Sequence, residues 1–139
     1  VGLLAGCQQP PPPVVVAPPP PLPPHLGPPP AALCTVAPFK VADGGTADVS
    51  MTLSNDGGYC AAQLTASDGQ PFDAGLVPAR PPHGKETVIH YNHKTSIEYI
   101  AEPGYVGPDG FTVKLIHGAG AYTTLNIHID VKAVSAKTS

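Results

Sequence analysis

The sequence predicts an all-β protein: an antiparallel sandwich of about seven strands behind an extended proline-rich arm. Three observations carry that prediction. From about residue 33 to 132 the apolar residues recur with period two rather than 3.6. Each apolar run is short and bounded by Gly, Pro, Asn or Asp, with no convincing helical spacing between them. The composition is also divided along the chain. Of 20 prolines in 139 residues, 13 lie at positions 10–30, and all 17 charged residues lie from Lys40 onward. The net charge of −3 excludes a basic nucleic-acid binder on bulk electrostatics. No run reaches the roughly 18 apolar residues of a membrane span. With no Trp and one Met, a plastic groove for helices is disfavoured.

Residues 1–9 read VGLLAGCQQ. The stretch Leu4-Ala5-Gly6-Cys7 resembles a bacterial lipobox, with Leu three positions before Cys and small residues between. Small side chains suit the scissile bond of the signal peptidase. The resemblance implies that the processed chain begins at Cys7, the lipidation residue, and carries acyl chains there. Two or three chains exceed what stable anchoring requires. By the enteric sorting rule, Gln8 rather than Asp after the Cys implies the outer membrane, on its periplasmic face or at the cell surface. The alternative is an apolar stub whose Cys7 is a plain thiol.

Residues 10–32 are a proline-rich linker. Proline fixes φ and lacks an N–H, so repeated proline favours polyproline II. At about 3.1 Å per residue, positions 10–30 span roughly 65 Å. The segment reads as a semi-rigid spacer. A second reading makes it an assembly arm, with Val14, Val15 and Val16 as the candidate assembly segment. These are the linker's only residues of strand propensity, suited to addition at a sheet edge. His25 reads as a solvated residue.

Strands are expected at 35–41, interrupted near Pro38, then at 47–53 and 59–64 across the turn Asn55-Asp56-Gly57-Gly58. Residues 67–84 contain Pro71, Pro78, Pro81 and Pro82 and read as an irregular crossover. Residues 87–91 and 95–100 form a hairpin across Asn92-His93-Lys94. Residues 111–116 and 121–131 form the last hairpin, across His117-Gly118-Ala119-Gly120, and residues 133–139 form a tail.

Between these hairpins lies the sequence's most distinctive stretch, IEYIAEPGYVGPDGFTV at positions 97–113. Tyr99, then Pro103-Gly104-Tyr105, then Gly107, Asp109 and Phe111 entering a strand, resembles the C-terminal half of bacterial Ig-like, cadherin-like domains. The resemblance covers about 35 residues; Pro108 stands where that family carries a small polar residue. It implies an Ig-like β-sandwich used for adhesion, spacing or binding at the bacterial surface, without catalysis. On physical grounds these residues form a structural corner. Pro103 and Gly104 turn the chain, Tyr105 plugs the sandwich end with its hydroxyl on backbone, Asp109 accepts loop N–H groups, and Phe111 opens the buried row.

With Cys7 assigned to lipid, Cys34 and Cys60 remain. An even remainder in a secreted context predicts one disulfide; the alternative is two buried thiols. His90 and His93 converge only through their turn, and His128 is expected opposite Gly110, far from His117. A shared metal site is therefore poor, and no zinc-type Cys/His spacing occurs. Asp43, Asp48, Asp56 and Asp68 lie on scattered turns, a poor calcium site. No nucleophile elbow or phosphate loop is present. No catalytic residue, metal or cofactor is expected. The expected function is that of a non-enzymatic envelope lipoprotein. Its partners are the membrane, through Cys7, and proteins or glycans, with no nucleic acid. A structural subunit of a filament or envelope complex, self-associating through its arm, is the alternative.

Overall fold

The computed structural model describes residues 28–91 and 93–134, which form eight strands and no helix. In chain order these are β1 (Cys34–Val36), β2 (Thr46–Ser54), β3 (Cys60–Leu64), β4 (Ala74–Ala79), β5 (Gly84–Tyr91), β6 (Lys94–Ala101), β7 (Gly107–Ile116) and β8 (Thr123–Lys132). They make a five-stranded sheet, β1-β2-β8-β7-β4, and a three-stranded sheet, β3-β6-β5. Cys7, the proline-rich positions 10–27, the candidate assembly residues Val14, Val15 and Val16, and His25 lie outside the described residues.

Period-two alternation builds the core between the sheets. Val49, Met51 and Leu53 of β2, Phe111, Val113 and Leu115 of β7, and Leu125, Ile127, Ile129 and Val131 of β8 are all buried. Cys60, Ala62, Ile97 and Tyr99 of the smaller sheet join the same cluster. A one-residue slip in any of these strands would turn its apolar row to water, so burial fixes the register.

Three expectations are corrected. The sandwich is not wholly antiparallel: β2 runs parallel to β8 from Thr46↔Thr124 to Ser54↔Lys132. A parallel pair needs a crossover, which the whole of β3 to β7 supplies. The 67–84 segment is not irregular throughout, because residues 74–79 form β4 on β7, with a register shift between Leu76 and Ala79. Pro78 is tolerated because β4 is an edge strand. The first strand is Cys34–Val36 rather than 35–41. The Ala37 N–H still donates to Ser50 O at 3.0 Å, and Pro38, which has no N–H, follows it. Phe39 and Val41 nevertheless pack on the core.

Turns gather at two poles. At one, Asn55 Nδ2 donates to the carbonyls of Glu102 and Tyr105, each at 2.8 Å, and the Glu102 N–H donates to His83 O at 2.8 Å. At the other, the Ser67 N–H donates to Asp43 Oδ1 at 3.0 Å and the Gly44 N–H to Thr123 Oγ1 at 2.9 Å.

Candidate functional site

The corner motif lies at the first pole. Alternation points Tyr99 inward from β6, where it is fully buried. Its hydroxyl donates to Asp109 Oδ2 at 2.6 Å and lies 3.3 Å from His83 O. Burial and the Asp109 carboxylate push its phenol well above the usual tyrosine range, so it stays a donor. Asp109 Oδ2 also accepts the His83 N–H at 3.1 Å, and its Oδ1 accepts the Gly110 N–H at 2.9 Å. One carboxylate at the start of β7 thus ties β6 to the turn before β5. Tyr105 donates its hydroxyl to Pro108 O, and its ring stacks on the His83 imidazole at 3.9 Å and 4°. Phe111 packs beside Tyr99 with centroids 6.2 Å apart. Pro103, Gly104 and Gly107 lie on the connection between these groups. A side chain at Gly84 would start 2.5 Å from both Ile100 O and Tyr99 Cε1, so glycine lets the ring lie against β5. His83 is the member that sequence reasoning missed. It contributes a backbone N–H and a ring face, and only its place after Pro81 and Pro82 marks it.

A strap of chain enters beside this corner. The Ala31 N–H donates to Tyr59 O at 2.8 Å and the Tyr59 N–H to Pro29 O at 3.3 Å, in a parallel bridge at Pro30. The Ala32 N–H donates to Asp56 Oδ2 at 2.8 Å and the Gly58 N–H to Asp56 Oδ1 at 2.9 Å. These backbone donors hold the Asp56 carboxyl below its ordinary range. A Cβ at Gly58 would lie 2.5 Å from Ala31 N, so only glycine admits the strap. The strap is covalently closed: Cys34 and Cys60 form a disulfide with Cα atoms 5.3 Å apart, joining β1 of one sheet to β3 of the other.

Between strap and corner lies a groove of about 610 Å³ lined by Pro28, Pro82, Lys85, Ile100, Glu102 and Pro103, among others. It opens onto the outward face of the smaller sheet. Register places Ala61, Glu98 and Thr87 on one rung of that face, and Gln63, Ser96 and Ile89 on the next. Burial, and then the Glu98 charge, raise the Tyr59 phenol above its usual range.

At the opposite pole His117 Nε2 lies 2.8 Å from Asp68 Oδ2, and the Gly118 N–H donates to Asp73 Oδ2 at 2.6 Å. The Asp68 contact, with the charges of Asp68, Asp73 and Asp43, raises the imidazole above its ordinary range. Asp68 is held below its own, first by the Gln70 N–H and then by His117. His128 sits opposite Gly110, with Nε2 3.1 Å from Asp48 Oδ1. His90 Nδ1 lies 3.2 Å from Thr95 Oγ1, while His93 occupies its turn at φ 62°. Asp43 and Asp68 therefore share a pole, whereas Asp48 lies on an outward face and Asp56 at the other pole. Among the described residues no group of three or more His, Cys, Asp or Glu could hold a metal ion.

Among the described residues the groove is walled by prolines, carries Lys85 and Glu102, and is continuous with a sheet face. The chain matches no family model, no curated protein and no solved structure.

Proposed function

We propose that the protein is a non-enzymatic bacterial envelope lipoprotein. In this reading an Ig-like module is held off the outer membrane by a proline-rich spacer and binds protein or glycan. The observation that carries it is the Cys34–Cys60 disulfide. A bond of this kind belongs to an oxidising compartment. It also leaves Cys7, in its lipobox-like setting, as the one cysteine outside the bridge. The Ig-like assignment is supported by the sheet order, in which β3 pairs with β6 in one sheet and β2 lies parallel beside β8 in the other. It is supported also by the corner, where Tyr99, Tyr105 and Asp109 hold backbone in place. Intact-mass analysis of the native protein tests the anchor. Acylation at Cys7 with loss of residues 1–6 is expected, and Cys7→Ser should release the protein from membranes. An unmodified chain that retains residues 1–6 would refute it.

A second reading, a structural subunit joined through its arm, is favoured by the strap. Pro29 and Ala31 bond through their backbones to Tyr59, just before β3, in one parallel bridge at Pro30, the kind of contact that strand addition would extend. Under that reading, deletion of Val14, Val15 and Val16 abolishes oligomers. Each buried Val is worth roughly 1.5 kcal/mol or more, enough together to shift association by orders of magnitude. Sedimentation of the intact chain beside the deletion decides it, and identical monomers leave the spacer.

A further inference from the structure

We propose that the outward face of the five-stranded sheet carries a binding site for a neutral saccharide, seated over Gly110 between Asp48 and Asn126. The proposal goes beyond the anchored-module reading, which gives a glycan no place on the protein, and needs neither its lipid nor its Ig-like assignment.

A hollow in that face carries it. It holds about 290 Å³ and is lined by Asp48 of β2, Ala79 of β4, Gly110 and Thr112 of β7, and Asn126 and His128 of β8, among others. Gly110 makes the floor. On the rung Ser50–His128–Gly110 the outward position of β7 has no side chain, so backbone lies bare there. Glycine inside a strand marks close approach to the backbone, and a Cβ here would lie 2.9 Å from Ile127 O. The next rung sets Asp48, Asn126 and Thr112 abreast. The Thr112 hydroxyl donates to Asn126 Oδ1 at 3.1 Å, which turns the amide NH2 away from it. Among the described residues that NH2 has no partner. His128 Nε2 lies 3.1 Å from Asp48 Oδ1, which leaves Oδ2 as an open acceptor. The Asp48 and His128 side chains are 75% and 64% exposed, so a ligand reaches both. β7 and β8 are inner strands whose backbone groups pair on either side. Recognition here therefore falls to side chains.

Charge and hydrogen bonding select the ligand. No Lys or Arg lines the hollow, and Asp48 opposes any anion, so phosphates and acidic sugars are disfavoured. An apolar ligand would strip water from Asp48 and from the Asn126 amide without replacing its hydrogen bonds. Asp48 and His128 are a pair only, and no described group of three could hold a metal ion. A sugar hydroxyl both donates and accepts. Adjacent hydroxyls of one ring can donate to Asp48 Oδ2 and accept from Asn126 Nδ2, on strands about 4.8 Å apart. The ring's C–H face then rests on Gly110, where any side chain would hold it off. Thr46 and Thr124, opposite each other two residues along the same face, continue the line of hydroxyl and amide groups for a second sugar.

The test titrates the full, isotope-labelled chain carrying Cys7→Ser with maltotriose, cellotriose, mannotriose and chitotriose. At least one is expected to bind with a Kd of about 1 mM or below. Its saturable signature is movement of the Gly110, Thr112 and His128 amides and of the Asn126 side-chain NH2, while Gln63 and Thr87 on the other sheet hold still. Asn126→Asp exchanges the donor for an acceptor of the same size, and Asp48→Ala removes the acceptor at an exposed position. Each should weaken binding about tenfold or more, with the rest of the spectrum unchanged. Glucuronic acid should leave the same signals in place. Saturable movement with none of the trisaccharides overturns the proposal. So does binding that both variants keep, equal movement with glucuronic acid, or movement confined to the groove between Pro28 and Pro103, which would put the sugar there. Since no lipid is present, failure here leaves the anchor to its own mass measurement.

Discussion

Asp109 shows how a single side chain is committed. Its two oxygens take the Tyr99 hydroxyl and the N–H groups of His83 and Gly110. Tyr99→Phe keeps the ring and removes one donor to a charged acceptor. The expected cost is about 2 kcal/mol, read as a lower urea midpoint at unchanged slope. His117 supplies a pH signature. Its raised pKa makes its contribution to stability complete below 6.5, the ordinary value, and lost as pH rises through the folded one. The lowered pKa of Asp68 makes its contribution complete above 3.8 and lost as pH falls through the folded value. The melting-temperature gap between the native chain and His117→Gln should therefore be widest between those two pH values and narrow on either side. A gap that widens toward alkaline pH would reverse the assigned sign. The Asp68 side chain is 53% exposed and that of His117 27%, so solvent screens the pair and the effect is a modest one.

Elements differ in how plainly the sequence announces them. β2, β7 and β8 are legible because three or four apolar residues alternate with polar ones, and burial on one side demands that pattern. β4 is not, since AGLVPA holds Gly75 and Pro78 and sits half-exposed at an edge where little packing constrains it. The parallel pairing of β2 with β8 leaves no local mark either, because a strand's pattern records its buried face and not its neighbour. Of the site, the Tyr99–Asp109 corner was readable as a spaced set of turn and aromatic residues. His83 was not, as its role rests on backbone and stacking. The groove was invisible because it forms where four separate stretches meet. The disulfide was readable from counting cysteines, and its energetic role follows from its position. It closes a separation of 26 residues and links strands of different sheets. Loss of it through Cys34→Ala with Cys60→Ala is expected to cost about 3–4 kcal/mol in chemical denaturation. Two titratable thiols from this pair in the unreduced, native chain would contradict the bridge itself.

At the scale of the whole molecule, the poles are unequal. The strap enters at Pro29 beside Tyr59, and β8 leaves at Lys132, whose carbonyl accepts the Asn55 N–H at 2.9 Å. Entry and exit therefore share one pole, a result of β2 running parallel to β8. Mechanical load shows what this arrangement means. In modules strung end to end, tension enters at one end, travels along the strands and leaves at the other, so every strand is a link in the rope. Here a pull between residues 28 and 134 is borne locally, near the disulfide and the end of β8, and the rest of the sandwich hangs beside the line of force like a flag on a halyard. The loops holding Asp68 and His117 then form the far tip, which a pull between residues 28 and 134 leaves slack.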